Sequence, residues 1–388
     1  MGSGFAHTRS AHGEAGRCCR GTSHRPRGSS NMRTSSNGPF LLTGGAGFIG
    51  CALARRLVQR GWGPIYIADN LHQQVHPTRR LPQRVPREAI FLPFDVSQDA
   101  PWEAVLNLVR PRCVVHLAAE TGTGQSLTHA SRHALVNVVG TAQLLDALTR
   151  TAIIPEHLLL TSSRAVYGEG LWSSDGQVHA PSVRRHSDLA AGRWLPIGLK
   201  EALPLAARQD RTPANPTSVY GATKLAQEQL MRVWAASTGS KLSILRFQNV
   251  YGPGQSIANP YTGIVTLFAQ QAKNRQTIDI YEDGEIIRDF VFIDDVTTAL
   301  ERCIELPPDD ERLLDIGSGS ATTVLELGRL VANIYGAPEP MISGRFRDGD
   351  VRAAWADITL SKEAIGFSPS VTLEDGLKQL VTWMEDER

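Results

Sequence analysis

Thr43-Gly44-Gly45-Ala46-Gly47-Phe48-Ile49-Gly50 is the stretch that decides the fold of this 388-residue chain. A short apolar run, Phe40 to Thr43, leads into it, and helical periodicity from Phe48 to Arg60, stopped at Gly61, leads out of it. Strand, glycine loop and helix in that order open a dinucleotide-binding βαβ unit. Gly44, Gly47 and Gly50 keep the spacing G-x-x-G-x-x-G. The first glycine turns the chain, the second lets backbone approach a pyrophosphate, and the third lets helix and strand pack closely. The anionic phosphates then meet the N-terminus of the helix, where N–H groups and the helix dipole favour them. Phe48 and Ile49, in that first helical turn, count among the cofactor-binding residues.

Working outward, Ile65 to Ala68 forms a second strand that ends at Asp69, with Asn70 beside it. A carboxylate there accepts both ribose hydroxyls of an adenosine and repels a 2′-phosphate, so NAD is expected as cofactor rather than NADP. Ile90 to Phe94 is a third strand closed by Asp95 and Val96, placed to meet an adenine amino group. Cys113 to Leu117 is a fourth, and the small Ala118 and Ala119 after it let a cofactor lie across the sheet edge. Trp102 to Val109 reads as a helix, and Ser126 to Thr149, which carries Asn137, as a long helical stretch. His157 to Ser162 is a fifth strand, Val219 to Ala236 a helix, and Leu242 to Phe247 a sixth strand. This alternation predicts an α/β protein: a Rossmann-type doubly wound parallel sheet with helices on both faces.

After Phe247 the rhythm breaks in a loop rich in Gly and Pro. The expected division is a Rossmann domain over 38–248, with a polar insertion at 170–213 and a returning segment at 289–303, and a smaller C-terminal α/β lobe from 249–288 and 304–388. Residues 1–37, rich in Gly, Ser, Arg and His, read as a disordered tail, with Met32 as an alternative start. Net charge is +1 and aromatics are 6%, so no basic or stacking surface points to nucleic acid. No apolar run approaches the roughly 18 residues of a membrane span. The five cysteines, Cys18, Cys19, Cys51, Cys113 and Cys303, have no C-x-x-C spacing. No metal site and no disulfide framework is expected, and a reducing cytoplasm suits them.

The chemistry gathers at Tyr220-Gly-Ala-Thr-Lys224, at the start of a helix, where a spacing of four puts both side chains on one face. A tyrosine is a poor base at neutral pH, and an ammonium beside it stabilises the phenolate. Lys224 also reaches toward a nicotinamide ribose, so Tyr220 and Lys224 count as both catalytic and cofactor-binding. Ser163 follows the fifth strand, and its hydroxyl can share a proton with a substrate oxygen.

With the glycine loop, the strings His116-Leu-Ala-Ala-Glu120, Asn137-Val-Val-Gly-Thr141, Ser162-Ser-Arg-Ala-Val-Tyr-Gly168 and Tyr220 with Lys224 resemble the extended short-chain dehydrogenase/reductase family. Within it, the NAD-dependent nucleotide-sugar epimerases and dehydratases are the most similar, from about Phe40 to Trp383. Gly122-Thr-Gly-Gln-Ser126, Ser163-Arg-Ala-Val-Tyr-Gly-Glu-Gly170 and Asn249-Val-Tyr-Gly-Pro-Gly-Gln255 look like the dTDP-L-rhamnose 4-epimerase-like and UDP-galactose 4-epimerase-like branch. The resemblance implies a nucleoside-diphosphate sugar as substrate. Asn249, Arg288 and Arg347 would contact its diphosphate and Asp350 its ribose, with Thr121, Ser163 and Arg164 on the sugar side. Arginine suits that task, since its planar fork binds phosphate oxygens in pairs. The family also implies a homodimer through helices near 129–149 and 219–236. Two departures stand out. Gln248 replaces an aromatic residue, and the insertion 170–213, where Trp172 and Trp194 are candidate anchors, is long.

Dehydratases of the family carry an Asp-Glu pair directly after the Ser/Thr, and here those positions are Arg164 and Ala165. Neither can shuttle a proton at neutral pH. Transient oxidation at C4 and re-reduction on the opposite face, a 4-epimerisation, is therefore expected. A 4,6-dehydratase using Glu120, a 4-keto reductase and a non-catalytic NAD-binding protein stay open as alternatives on the same fold.

Overall fold

Seven strands among the described residues make one parallel sheet: β1 Asn37–Thr43, β2 Gly63–Asp69, β3 Ile90–Pro93, β4 Cys113–His116, β5 His157–Ser163, β6 Lys241–Phe247 and β7 Glu311–Ile316. Their order is β7-β6-β5-β4-β1-β2-β3. The computed structural model describes residues 37–386 apart from 197, 200, 258 and 260–262. The expected tail, with Cys18, Cys19 and Met32, lies outside the described residues except for Asn37, which opens β1. In register, Leu42 faces Ile67 of β2 on one side and Val115 of β4 on the other.

Successive side chains leave a strand on opposite faces, so these apolar runs supply two cores. Phe40, Leu42, Val115 and Leu159 pack beneath Leu53 and Leu57 of α1 (Phe48–Gln59). Leu41, Val114, Leu158 and Leu160 pack beneath Trp102 and Leu106 of α2 (Ala100–Val109) and Leu144 and Leu148 of α3 (Gly140–Arg150). Met231 of α4 (Val219–Thr238) joins the second core, and Val296 and Leu300 of α5 (Ile293–Glu305) the first. No helix among the described residues is long and apolar enough to cross a membrane.

The sequence led to six strands and placed 304–388 in the smaller lobe, and β7 corrects both expectations. Glu311–Ile316 pairs with β6 from Glu311 opposite Leu242 to Ile316 opposite Phe247, burying Leu314 and Ile316 in the first core. Its Glu-Arg start hides it, and its partner is remote in sequence. The returning segment is likewise divided. Phe290–Phe292 pairs with Asn249–Tyr251 in a separate apolar cluster containing Phe268, Ile280, Leu327 and Leu380, while α5 covers the main sheet.

Two more stretches differ from expectation. Ser126 to Thr149 is not one helix: it breaks at His129 (φ −126°, ψ 42°) and passes through a wider π-helical turn, Ala134–Val139, before α3 begins. The insertion carries a three-stranded antiparallel sheet, Leu171–Ser174 between Gln177–His179 and Leu203–Leu205. Trp172 anchors it, 1% exposed, with its indole N–H on the Glu169 carbonyl at 2.9 Å.

Candidate active site

Strand order reverses between β1 and β4, and ligands in such sheets bind beyond the carboxyl ends of the strands at that point. A cavity of about 890 Å³ opens there. At one end lie Gly44, Gly47, Phe48, Ile49, Gly50, Asp69, Asn70, Asp95, Val96, Leu117, Ala118 and Ala119. Further along come Thr121, Ser163, Arg164, Tyr220, Asn249, Arg288, Arg347 and Asp350. The expected site residues thus share one cavity, except Asn137 and Lys224, which are buried and do not line it.

The glycine loop divides its labour. Gly44 has φ +66°, and a Cβ on it would meet the Ala118 backbone at 2.7 Å. A Cβ on Gly50 would strike Gly45 at 2.5 Å. Gly47 has ordinary dihedrals, and a Cβ there would meet only the Gly44 carbonyl at 3.1 Å. Nothing in the protein's own packing forbids a side chain at Gly47 outright; the cavity in front of it is the cradle that a Cβ would fill. The Asp69 carboxylate accepts the amides of Ala46 (3.1 Å) and Leu71 (2.8 Å), so it ties the loop to β2. Burial raises its pKa. These residues fit an adenosine diphosphate moiety: glycines against the pyrophosphate, a carboxylate at the ribose.

Ser163 closes β5, and its Oγ accepts the Ala165 amide at 3.1 Å, which fixes the short turn Arg164–Tyr167. Tyr220 opens α4, whose N-cap Ser218 accepts the Gly221 amide at 3.1 Å. Both side chains line the one cavity, and Ser163 lies near enough to the Tyr220 phenol to ease its ionisation. Burial raises the phenol's pKa, and Ser163 and the Arg164 guanidinium pull it back. Arg164 donates from Nε to Asn249 Oδ1 at 3.0 Å, and burial, with Arg288 nearby, pulls its own pKa down to about 10.

Lys224 departs from expectation. Its ammonium donates to Gln227 Oε1 at 2.7 Å, and Arg164 is a cation that eases the ionisation of Tyr220. Burial pulls Lys224 down to about 7, with Glu228 opposing. Gln227 donates in turn to Thr141 Oγ (2.8 Å), which donates to the Asn137 carbonyl (2.6 Å) and lies 3.0 Å from His116 Nε2. Since the Thr141 hydroxyl proton is spent on Asn137, His116 must donate from Nε2, leaving Nδ1 to accept from Thr43 Oγ at 2.7 Å. His116 is accordingly neutral, its pKa pushed down to about 3 by burial and then by Lys224. Sequence reading assigned no role to Thr43, His116, Thr141 or Gln227; only Gln227, three residues beyond Lys224 on one helix, carried a local signal. Asn137, in the π turn, accepts the Glu120 amide at 2.7 Å and donates to the Glu120 carbonyl at 3.0 Å and to Thr223 at 2.9 Å. It holds the chain after β4 against α4.

On the far side, Arg288 donates to the Asp350 carboxylate at 2.7 Å and to the carbonyls of Ile287 (2.7 Å) and Val351 (2.8 Å). Burial acts to raise the Asp350 pKa, but Arg288 and Arg164 outweigh it and hold the carboxyl below its ordinary range. Arg347 stacks its guanidinium 5.1 Å above the Tyr281 ring, which also lines the cavity. Glu120, the spare carboxylate, is bound by Arg132 at 2.7 Å.

Comparison with known proteins agrees with this geometry. The NAD dependent epimerase/dehydratase family profile matches residues 40–317. The dTDP-L-rhamnose 4-epimerase of Burkholderia thailandensis is 51% identical over 349 residues, covering 90% of this chain and 95% of that protein. The UDP-glucose 4-epimerase of Mycolicibacterium smegmatis is 28% identical, covering 89% of this chain and 98% of its own. Among solved structures, the UDP-glucose 4-epimerase of Thermotoga maritima with UDP-glucose superposes with a TM-score of 0.74 at 29% identity, over 90% of this chain and 99% of that one. The UDP-glucose 4-epimerase of Thermus thermophilus in complex with NAD gives 0.71 at 26% identity, over 89% and 99%. The chain belongs to the NAD-dependent epimerase/dehydratase family and is a nucleotide-sugar 4-epimerase that works with NAD.

Proposed function

We propose that the substrate is dTDP-L-rhamnose, that Ser163, Tyr220 and Lys224 carry the reaction, and that Arg288, Arg347, Asn249 and Asp350 hold the nucleoside diphosphate. The sugar is argued from the 51% identity to a dTDP-L-rhamnose 4-epimerase over nearly the whole chain. One observation carries the chemistry: Tyr220 shares one cavity with Ser163, Arg164 and Ala165, Ser163 and Arg164 both ease its ionisation, and Glu120 is engaged by Arg132. Proton exchange at one hydroxyl is provided for, and the acid-base pair of a dehydration is not.

Bound NAD supplies a reversible two-electron acceptor, which a passing oxidation at C4 requires. The chain handles the proton. Tyr220 Oη takes it from the C4 hydroxyl as that carbon is oxidised, with Ser163 Oγ sharing the same oxygen. Arg164 stabilises the phenolate that results. The 4-keto sugar turns over, and Tyr220 returns the proton when C4 is reduced on its other face. Arg288 and Arg347 grip the diphosphate meanwhile, and Lys224, one turn along α4 from Tyr220, would hold the nicotinamide ribose of bound NAD.

The protein is further proposed to be a homodimer through α4 and the helical stretch before α3. Leu135, Val139 and Val233 are exposed there, Val233 by 69%, and a two-fold pairing would bury them. The cytoplasm is the proposed compartment, since Cys51, Cys113 and Cys303 are buried free thiols.

The test is to incubate the purified protein with dTDP-L-rhamnose, without added cofactor, and to follow products by mass spectrometry and NMR alongside absorbance at 340 nm. Formation of the C4 epimer with no net absorbance change is expected. Loss of water from the sugar, or stoichiometric cofactor oxidation, would overturn the assignment. Tyr220→Phe should cut turnover by roughly 10²–10⁴-fold while bound NAD is retained.

A further inference from the structure

Insertion 170–213 takes no part in the chemistry above, yet it sends one arginine to the backbone of Asp350, a residue that lines the substrate cavity. The Arg184 side chain is 1% exposed, as are those of its partners Glu169 and Glu282. Its guanidinium donates to Glu169 Oε1 (3.1 Å), Glu282 Oε2 (2.9 Å), the Trp194 carbonyl (3.1 Å) and the Asp350 carbonyl (2.9 Å). These acceptors come from the turn after β5, from the residue next to Tyr281, from the insertion itself and from the segment that presents Asp350.

That segment needs such support. Residues 343–352 form no helix or strand, yet Arg347 and Asp350 both reach the cavity from it. Beyond Asp350, the Arg352 amide donates to Glu169 Oε2 at 2.9 Å, and its guanidinium donates to Glu282 at 3.0 Å and to Asp283 at 2.6 and 2.8 Å. Glu169 and Glu282 are thus shared between Arg184 and Arg352. The Asp350 backbone hangs from this cluster, and its carboxylate meets Arg288 at 2.7 Å. Taking four charges out of water (Glu169, Arg184, Glu282 and Arg352) is expensive, and buried ion pairs are weak stabilisers on balance. Their return here is geometric.

We infer that Arg184 is a positioning residue for the nucleotide half of the substrate: through it, the insertion fixes the Asp350 backbone and so the Asp350–Arg288 pair. The inference rests on the proposed role of Arg288, Arg347 and Asp350 on the nucleoside diphosphate. Among the described residues no hydrogen bond or ion pair joins Arg184 to Tyr220 or Ser163, so binding of the nucleotide depends on it and the chemical step does not.

The experiment uses the full chain with NAD bound, dTDP-L-rhamnose as substrate and dTDP as binding probe. Arg184→Lys keeps the charge but loses the fork that reaches four acceptors. It should raise KM and the dissociation constant for dTDP about tenfold or more, with kcat within about threefold and bound NAD unchanged. Should Arg184→Lys fail to fold, the pair Arg184→Met with Glu169→Gln removes a charge of each sign and should give the same split. Wild-type KM and dTDP affinity in these variants, with only a lowered Tm, would make the cluster purely structural and overturn the inference. Asp350→Asn and Arg288→Lys separate the two levels. If they raise KM and the Arg184 variants do not, this inference alone fails; if they leave KM and dTDP affinity unchanged, the proposed nucleotide site fails with it.

Discussion

Tyr220 is held protonated by burial, and the two groups that ease its ionisation, Ser163 and Arg164, come from one turn after β5. Replacing Arg164 with Gln removes a cation that lowers the phenol's pKa, so the ascending limb of the kcat/KM–pH profile should move upward by roughly one unit. An unmoved limb would take Arg164 out of the proton step. Lys224 gives a prediction for stability. Its folded pKa, about 7, lies below the ordinary value of 10.5. Between those values the unfolded chain binds the proton and the folded chain does not, so this residue makes stability rise with pH through the window from 7 to 10.5. Lys224→Met should lose turnover and also lose that slope: its Tm relative to wild type should be higher near pH 7 than near pH 10. Thermal melts across that range check it, and parallel curves would show that the lysine is charged in the fold.

At the scale of elements, the glycine loop and the turn after β5 were legible because each is local: strand, special residues and helix follow one another within a dozen positions. The loop yields a contrast. Gly47→Ala adds a methyl group that faces the cavity, so the fold should lose no more than about 1 kcal/mol while NAD affinity drops by about tenfold or more. Gly50→Ala drives a Cβ into Gly45 and should lower the Tm of the cofactor-free protein itself. Equal melting losses in both would refute the division of labour. The π turn at Ala134–Val139 was not legible. It places Asn137 against the Glu120 backbone and Thr223, and those partners lie in the segment after β4 and in α4. A helical periodicity cannot announce a contact it does not contain.

For the whole molecule, the test concerns assembly. Val233→Glu puts a charge on α4 at an apolar residue that is 69% exposed. If that face is the dimer interface, sedimentation should show monomers with NAD still bound; an unchanged dimer places the interface elsewhere, and a wild-type monomer refutes it. β7 is also a whole-molecule fact, because its pairing partner is β6, remote in sequence.

Sequence alone determined the class of the protein. Apolar runs, glycine spacing and a carboxylate after the second strand are short-range signals, and each has one physical reading. Sequence also brought forward Ser163, Tyr220 and the positions Arg164 and Ala165, since they sit in strings with fixed offsets. The tertiary structure decided that Arg164 eases the ionisation of Tyr220, that His116 is a neutral donor to Thr141, that Glu120 is bound by Arg132, and that Arg184 reaches Asp350. The reason is common to all four. A buried charge or hydrogen bond is settled by the partners that burial brings within about 3 Å, and those partners come from segments far apart in the chain.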